Sequence, residues 1–383
     1  MQLIFQFGTF HAMSEAELIS RFPQFAGGKT IQGRFFVVET NESPAWLMQT
    51  LGGVVKILEV ISSSNAPDLE FLATEIIDSC QSRNKISFGV SVINAPEFAK
   101  IGLELKRYIQ EKASRPTRFV VSKTPELSSA SIKLEGLLPP DGCELVVLKD
   151  SSMVIIAKTV QIQSFAEWSF RDYERPGRDA KRGMLPPKLA KMMINIATKT
   201  RDITQLHIYD PFCGSGTVLA EAALLGARRI TGSDIAKFAV DDTKKGLAWA
   251  QKQFDLTAEI TIFQHDATST PRHVKPGSVD LIVAETFLGR PLKTGEQLTS
   301  TEKQDLTSLY HKALTALTPV LAPNGVIVLA IPFQTKPFEL LPLAEIIADT
   351  AFSIDPILPE HETVLYMRED QRTGRQIVRL VKN

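Results

Sequence analysis

The sequence predicts an α/β protein with a doubly wound parallel sheet in its C-terminal half, preceded by two smaller α+β units. From about residue 205, β-rich runs alternate with helix-length segments, which is typical of a parallel sheet with crossover helices. Before residue 165, shorter strands and helices alternate in two successive groups, with no low-complexity linker between them. We therefore expect one large parallel-sheet domain behind a smaller pair of domains.

Composition narrows the choice of protein class. The chain has 383 residues, enough for two or three ordinary domains, and its 43 basic and 43 acidic side chains cancel. The net charge of zero gives no indication of a polyanionic partner such as nucleic acid, although a net charge over the whole chain can conceal local basic patches. Cys80, Cys143 and Cys213 are widely spaced, with neither a disulfide framework nor metal-ligand spacing, so we expect a reducing cytoplasm and no metal site. No run approaches the roughly 20 apolar residues of a membrane span, so we expect a soluble protein.

Two α+β units are predicted in the first 165 residues. The first, residues 1–53, has strands and helices at Leu3–Phe7, Ser14–Phe22, Arg34–Glu39 and Ser43–Leu51. The second, residues 54–165, continues the same pattern with longer elements. Its predicted helices are Leu69–Ser79 and Phe98–Lys112, and its predicted strands are Val54–Ile61, Ile86–Val92, Thr117–Ser122, Cys143–Lys149 and Met153–Val160.

Residues 166–204 no longer alternate between strand and helix patterns, and they are predicted to be a linker followed by a helix. The stretch opens with charged residues and a Pro-Gly pair, then turns at Pro186-Pro187. Beyond these prolines, apolar residues recur on one helical face, namely Leu189, Met192, Met193 and Ile196. We expect a hinge and an amphipathic helix that leads into the C-terminal domain.

The C-terminal domain, residues 205–383, follows as a regular β/α alternation. Its predicted strands are Leu206–Asp210, Arg229–Asp234, Glu259–Asp266, Val279–Glu285 and Gly325–Pro332. Its predicted helices are Gly216–Leu225, Ile235–Phe254, Glu302–Leu321 and Phe338–Thr350. The tail contains two β-rich runs around a turn at Gly374, which suits an antiparallel hairpin that closes one sheet edge.

The strongest functional signal is the stretch Asp210-Pro-Phe-Cys-Gly-Ser-Gly-Thr217, where a hydrophobic strand ends and a helix begins. Glycines there let the backbone pass close to a ligand, and amides at the helix N-terminus favour a carboxylate or phosphate. A dinucleotide fingerprint would read G-x-G-x-x-G instead. An acid at the end of the first strand would repel a pyrophosphate, but it can accept hydrogen bonds from the ammonium of a methionine moiety. The stretch therefore favours S-adenosylmethionine over a nicotinamide dinucleotide.

Two more acids end the next two strands. Asp234 lies 20 residues after Gly214, where a carboxylate can accept both ribose hydroxyls of an adenosine. Asp266 ends the third strand and could receive the exocyclic amine of adenine. Each of these acids could instead cap the following helix. The predicted cofactor site comprises Asp210, Pro211, Cys213, Gly214, Gly216, Thr217, Asp234, Ile235, Asp266 and Ala267.

The fourth strand ends in Glu285-Thr-Phe-Leu-Gly289, and Glu285 is the candidate catalytic group. Catalytic groups of open α/β sheets lie on the rim formed by the carboxyl ends of the strands. A carboxylate hydrogen-bonded to an exocyclic amine can orient that amine and take up its proton. Phe287, the second candidate catalytic residue, could stack on a base. Alternatively, Glu285 caps a helix and Phe287 belongs to the core.

These motifs, DPFCGSGT, GSD, HDAT and the acid-aromatic segment, resemble those of the Rossmann-like methyltransferases that act on amino groups of nucleobases. More narrowly, FVVSKTPELSSASIKLEGLL and RPGRDAKRGMLPPKLAKMMINIA resemble the THUMP-containing tRNA guanosine-N2 methyltransferases. The resemblance covers about residues 50–290. It implies a ferredoxin-like domain at 1–53, a THUMP-like RNA-binding domain at 54–165 and a methyltransferase domain at 205–383. It also implies methylation of the amino group of guanosine 10 in tRNA.

One motif departs from that family. The family's fourth motif reads Asp-Pro-Pro-Tyr-Gly, whereas this chain has Glu285-Thr286-Phe287-Leu288-Gly289. Prolines would stiffen the loop that supplies a backbone carbonyl to the substrate amine, and positioning is much of catalysis. Cofactor binding is therefore better supported by the sequence than the family's reaction.

Two basic segments are the candidate nucleic-acid contacts. From Arg171 to Arg201, nine basic residues outnumber three acidic ones, and from Lys100 to Lys133, eight outnumber three. Phosphate neutralisation by such clusters supplies much of nucleic-acid affinity, and the resemblance places RNA contacts in both segments. The alternative is that these segments are solvated faces. The residues predicted to bind RNA are Arg118, Lys123, Arg178, Lys181, Arg182 and Lys188.

The sequence thus favours a cytoplasmic, S-adenosylmethionine-dependent RNA methyltransferase that modifies an exocyclic base nitrogen, which the resemblance makes guanosine N2 of tRNA. One alternative is a methyltransferase of DNA adenine or cytosine, against which the RNA-type module upstream argues. The other is an RNA-binding protein that retains the cofactor as a structural ligand, which the altered fourth motif supports.

Overall fold

The computed structural model describes residues 1–81, 84–151, 153–177, 184–293, 295–369 and 371–383. The chain divides into two compact units. The N-terminal unit comprises Met1–His11, Gly27–Thr50 and Val54–Phe165, and the C-terminal unit comprises Ala12–Ala26, Leu51–Gly53 and Ala166–Asn383. The N-terminal α-helix α1 (His11–Arg21) therefore lies almost wholly in the C-terminal unit.

The N-terminal unit is built on one mixed sheet. Its strands are β1 (Gln2–Phe7), β2 (Lys29–Ile31), β3 (Phe35–Glu39), β4 (Val54–Ser64), β5 (Ile86–Ile93), β6 (Thr117–Val120), β7 (Cys143–Asp150) and β8 (Met153–Ile162). Its helices are α2 (Pro44–Thr50), α3 (Leu69–Asp78), α4 (Ile101–Lys112) and α5 (Ser129–Glu135). The strand order is β2-β3-β1-β4-β8-β7-β5-β6, and β1 pairs with β4 in antiparallel register. Strands from both sides of the predicted boundary at residue 53 thus share one sheet, and the division into domains at that position stays a prediction.

Apolar faces of α3 and α4 cover this sheet. Leu72 and Ile76 of α3 and Leu105 and Ile109 of α4 are fully buried against strand residues such as Phe88. The 3.6-residue spacing of these positions gives each helix one apolar stripe, and burial of such stripes stabilises the unit. The sequence missed α5, although Ser128 caps it and Gly136 ends it in the left-handed conformation, φ 65°.

The C-terminal unit contains the predicted β/α alternation. Its strands are β9 (His207–Asp210), β10 (Arg229–Asp234), β11 (Glu259–Gln264), β12 (Val279–Glu285), β13 (Leu321–Thr335), β14 (Phe338–Glu339), β15 (Phe352–Ile354), β16 (Thr363–Tyr366) and β17 (Thr373–Lys382). Its helices, in addition to α1, are α6 (Phe165–Tyr173), α7 (Pro187–Thr198), α8 (Thr217–Leu224), α9 (Lys237–Phe254), α10 (Ser300–Leu317) and α11 (Leu343–Ile347). Phe165, the first residue of α6, belongs to the N-terminal unit.

The second sheet has the order β11-β10-β9-β12-β13-β17-β15. β9 to β13 are parallel, and the chain reverses its direction of travel across the sheet between β9 and β12. The carboxyl ends of these two neighbouring strands therefore form a topological switch point, where ligands bind in open α/β sheets. The predicted doubly wound fold is confirmed.

The helix predicted to lead into this domain is α7, which is buried along nearly its whole length. It packs beside α8, and Asn195 donates to the buried Glu17 carboxylate at 2.6 Å. Glu17 also accepts the backbone amides of Gly52 and Gly53, both at 2.8 Å. These bonds tie α1 and residues 51–53 into the C-terminal unit.

Two predictions in the C-terminal part of the chain were wrong in detail. The helix expected at 338–350 is instead the short strand β14 and the five-residue helix α11. Pro342 cannot donate a helical hydrogen bond, so the helix begins only after it. The antiparallel pairing of β16 and β17 is confirmed, but Gly374 lies within β17, and β17 lies between β13 and β15 rather than at the sheet edge.

None of the helices in the described ranges is long and apolar enough to cross a bilayer.

Candidate active site

The loop after β9 is tied to the end of β10. Asp234 accepts hydrogen bonds from the amides of Gly214, at 3.0 Å, and Ala236, at 2.9 Å. Gly216, the N-cap of α8, has φ +80°, and a Cβ there would lie 3.0 Å from the Thr243 side chain. An L-residue would be strained and crowded at this position, so the glycine permits the turn. A carboxylate has about four lone-pair sites, so Asp234 retains acceptor capacity beyond its two backbone bonds.

Asp210 is a buried acid with no ion-pair partner among the described residues. It ends β9, is 2% exposed and accepts one hydrogen bond, from the Phe212 amide at 3.0 Å. Burial raises its pKa well above the usual value, and the nearby carboxylates of Asp234 and Glu285 raise it further. A buried carboxylate in this setting is stabilised by a cation. Asp210 therefore fits a ligand that brings a positive charge.

A cavity of about 130 Å³ lies at the carboxyl ends of β9 and β12. It is lined by predicted cofactor residues together with residues that the sequence did not single out. Its polar walls include Asp210, Gly214, Thr217 and Glu285, and its apolar walls include Leu185, Phe212, Cys213 and Phe238. The structure thus brings the first-strand acid and the fourth-strand acid to one cavity.

A second cavity, of about 470 Å³, lies beside the first and shares Phe212 and Glu285 with it. Its lining includes Pro211, Asp234, Ile235, Asp266, Ala267 and Phe287. Asp266 is exposed and accepts the Thr268 amide at 2.9 Å and the Thr268 hydroxyl at 2.8 Å, which lower its pKa. These bonds form a local turn and not a helix cap, because the next element after β11 is the strand β12. The place of Asp266 in the cavity wall matches the ligand interpretation.

Arg175 is a residue of this site that the sequence assigned elsewhere, as one of the basic residues of the linker. It is buried, and its guanidinium donates to the Thr217 hydroxyl at 2.7 Å and the Ser215 hydroxyl at 3.2 Å. Burial lowers its pKa. Nothing in the sequence around Arg175 indicated that this arginine contacts the glycine-rich loop after β9.

Glu285 ends β12 and forms an ion pair with Arg375 of β17, whose Nε donates to Glu285 Oε1. The Glu285 side chain is 16% exposed and the Arg375 side chain 5%. Burial raises the pKa of Glu285, and the Arg375 guanidinium partly offsets this rise. The sequence missed Arg375, because a single arginine in a β-rich tail carries no pattern that links it to a strand 90 residues earlier.

Backbone hydrogen bonds hold the loop after Glu285. The amide and hydroxyl of Thr286 donate to the Ala330 carbonyl at 3.1 and 3.0 Å, and the Tyr310 hydroxyl donates to the Phe287 carbonyl at 2.5 Å. The Phe287 side chain is 57% exposed, so it is not a core residue. Its exposed ring lies in the wall of the larger cavity, where it is available to a planar ligand.

The basic residues of the linker region are mostly engaged inside the C-terminal unit. Arg171 pairs with Glu221 at 2.8 Å and lies 3.9 Å from the Trp168 ring centroid. Lys188 is 5.5 Å from the same ring, and burial lowers its pKa. Lys191 likewise lies 5.5 Å from that ring. This part of the predicted basic surface therefore stabilises the packing of α6 and α7.

The other residues predicted to bind RNA differ in their exposure, in their ion pairing and in whether the structure describes them. Arg118 is exposed and ion-paired with Glu135, and Lys123 is exposed on the loop after β6. Arg178, Lys181 and Arg182 lie outside the described residues.

Comparison with known proteins identifies the kind of domain. Residues 175–352 match the RMKL-like methyltransferase domain family. A tRNA (guanine(10)-N2)-dimethyltransferase of Methanothermobacter thermautotrophicus is 32% identical over 151 residues, 39% of this chain and 39% of that protein. A protein of the same name from Pyrococcus abyssi is 24% identical over 253 residues, 64% of this chain and 70% of that one. The aligned stretch thus spans well under half of the first relative's length and about two thirds of the second's.

Solved structures share the fold of the whole chain. The crystal structure of TrmN from Thermus thermophilus matches with a TM-score of 0.56 and 17% identity, over 100% of this chain and 99% of that one. A possible methylase from Clostridium difficile 630 matches with a TM-score of 0.52 and 15% identity, over 100% of this chain and 98% of that one. The predicted resemblance to the tRNA guanosine-N2 methyltransferases is confirmed, and it is to a methyltransferase domain family that residues 175–352 match.

Proposed function

We propose that this chain, with its RMKL-like methyltransferase domain, uses S-adenosylmethionine to methylate an exocyclic base nitrogen of RNA, guanosine N2 of tRNA. The observation that carries this proposal is the placement of Asp210 and Glu285 at the carboxyl ends of adjacent strands, in the wall of one cavity. Among the described residues, Asp210 has no ion-pair partner, and Glu285 has one carboxylate oxygen that accepts no hydrogen bond. The names of the relatives supply the substrate class.

The chain's residues fit the cofactor at both cavities. Asp210 would accept hydrogen bonds from the cofactor's ammonium, since its buried carboxylate has no cation of its own among the described residues. Asp234 has acceptor capacity left for ribose hydroxyls, and Asp266 lies in the same wall for the adenine amine. S-adenosylmethionine supplies the methyl group when bound. Pro211, Ile235 and Ala267 add apolar lining of the kind that a nucleoside requires.

Glu285 would orient the acceptor amine. Arg375 occupies Oε1, and no described residue donates to Oε2, so Oε2 is the oxygen available to an N–H of the acceptor. The amine nitrogen gains a methyl group and loses one proton, which Oε2 can take up and pass to water. Phe287, exposed in the wall of the larger cavity, would stack on the acceptor base.

RNA would be held by basic residues outside the cofactor site. Lys123 and Arg118 are exposed, and Arg178, Lys181 and Arg182 belong to the same linker stretch that the resemblance quotes. Lys188 is the weakest of the proposed contacts, because it is half-buried against Trp168. A reducing cytoplasm suits the buried free thiols of Cys80, Cys143 and Cys213.

The test is a methylation assay with unmodified tRNA transcripts and duplex DNA, followed by mass spectrometry of the digested nucleosides. We expect N2-methylated guanosine in the tRNA and no methylated base in the DNA. In the Glu285→Gln variant, turnover should fall by about 10²–10⁴. Cofactor affinity, measured by calorimetry, should stay within about twofold in that variant. A methylated adenine or cytosine in DNA would replace the proposed substrate, and cofactor binding without transfer to any nucleic acid would identify a disabled site.

A further inference from the structure

Arg375 is a buried arginine on β17, and its side chain lies on the same face of the sheet as that of Glu285 on β12. In the β12–β13 register, Glu285 lies opposite Ala330, and in the β13–β17 register, Arg375 lies opposite Pro332. Positions two residues apart on a strand share a face, so all four side chains lie on one face of the sheet. The ion pair therefore spans β13 above a small side chain and a proline.

This geometry explains the length of the acid. Strands two places apart are separated by about 10 Å, and it takes two long side chains to close that gap. An aspartate at position 285 would be shorter by one C–C bond, about 1.5 Å, which is enough to break a hydrogen bond. The glutamate that departs from the family's motif is thus the acid that reaches Arg375.

We propose that Arg375 is a positioning residue for the acceptor site: it holds Oε1 of Glu285 and leaves Oε2 for the acceptor amine. This inference rests on the proposed function. Removing one partner of a buried ion pair leaves an uncompensated charge, so the two side chains act as a unit.

The surroundings of Glu285 offer no other cation in contact with it among the described residues. Asp210 of β9 lines the same cavity, and the Glu285 carboxylate helps to raise the pKa of Asp210. Burial raises the pKa of Tyr310, whose hydroxyl donates to the Phe287 carbonyl. The lysines of α7 lie against Trp168 instead. The described elements packed against β12 carry these charged or titratable groups: His207, Tyr209 and Asp210 on β9, and Lys188 and Lys191 on α7. Arg375 of β17 reaches Glu285 across β13.

The test compares Arg375→Met with Arg379→Met, a matched control. Arg379 lies on the same strand, its side chain is also 5% exposed, and it pairs with Asp355 at 2.9 Å. For each variant, the rate of methyl transfer to tRNA is measured under saturating cofactor from pH 5.5 to 9, alongside cofactor affinity. Arg375→Lys, which keeps the charge without the planar guanidinium, is the conservative variant.

Arg375→Met is expected to slow transfer about 100-fold at pH 7, as a misplaced catalytic group does. It should also move the acidic limb of the pH profile to higher pH, because burial of Glu285 is then unopposed. Arg375→Lys should keep the wild-type pH profile at a reduced rate, and Arg379→Met should lower thermal stability without moving the profile. All of these variants should bind cofactor normally.

An active Arg375→Met variant with an unmoved pH profile would overturn the positioning role while leaving the proposed function standing. Equal profile shifts in both methionine variants would also overturn it, since they would show a general effect of losing a buried arginine. A wild-type protein that transfers no methyl group to any RNA would overturn both proposals. If Arg375→Met does not fold, the profile of Arg375→Gln, which keeps a donor but no charge, decides the question.

Discussion

Replacing Asp210 with asparagine tests the cofactor site through two measurements that move in opposite directions. The substitution preserves size, and the amide oxygen can still accept the Phe212 N–H bond that the carboxylate accepts at 3.0 Å. Burial raises the pKa of Asp210, and so do the carboxylates of Asp234 and Glu285. The free protein therefore holds an acid that is costly to ionise, and asparagine removes that cost.

The sign of the stability change follows from proton linkage. A carboxyl whose pKa is higher in the folded state than in the unfolded state, about 3.9 for aspartate, binds more protons when folded over that interval. Its contribution to stability falls as pH rises through the interval and is lowest above the folded-state pKa. We expect Asp210→Asn to stabilise the ligand-free protein at pH 8 by roughly 1 kcal/mol, the usual gain when a strained functional group is removed.

The same variant should bind the cofactor less tightly. A hydrogen bond to a charged group is worth about 1.5–3 kcal/mol, which corresponds to a loss of about 10- to 100-fold in affinity. Calorimetry with S-adenosylhomocysteine in two buffers should show proton release on binding to the wild type and none to the variant. Asp202→Asn is the control, because hydrogen bonds from Thr204 lower the pKa of this exposed acid and its replacement should not stabilise. An Asp210→Asn protein that is less stable and binds with unchanged affinity would refute the reasoning.

Three further variants address the other parts of the site. Asp234→Ala should weaken cofactor binding by about 1–3 kcal/mol in calorimetry, because the ribose hydroxyls and the Gly214 amide both lose an acceptor. Lys123→Glu should flatten the salt dependence of tRNA affinity by about one log unit per log unit of salt or slightly more, and an unchanged slope would make Lys123 a solvated side chain. Glu285→Asp should lower turnover rather than restore the family's activity, and a faster enzyme would show that the extra methylene has no positioning value.

The fold was predictable because its signals are local and repeated. Alternating apolar residues gave β4 and β5 to within three residues at each end, and the position of Asp210 before a glycine-rich turn located the end of β9. The loss of the helix expected at 338–350 has a local cause too, since Pro342 interrupts its pattern. The sequence did not reveal that β1 pairs with β4, which joins the strands of the two predicted N-terminal domains in one sheet. Pairing between strands far apart in the chain leaves no periodic pattern in the sequence.

Half of the candidate site was predictable for a similar reason. Acids that end parallel strands must meet on one rim, so Asp210, Asp234 and Glu285 could be grouped before any coordinates were known. The partners of these acids could not, because each comes from a distant segment. Arg175 and Arg375 both look like ordinary charged residues in the sequence, and both are buried. Local charge counting placed Arg175 and Arg171 in an RNA-binding surface, whereas each is used inside the C-terminal unit.

The altered fourth motif illustrates how a loop can be fixed without the residues that usually fix it. Prolines would restrict the backbone through their rings, and this chain has none at positions 286 and 287. Thr286 instead donates twice to the Ala330 carbonyl, and Tyr310 binds the Phe287 carbonyl. A proline at position 286 would remove both Thr286 donors, so introducing the family's prolines would loosen this loop rather than tighten it. The departure is therefore a coherent set of contacts, in which Arg375 holds the acid and hydrogen bonds hold the backbone behind it.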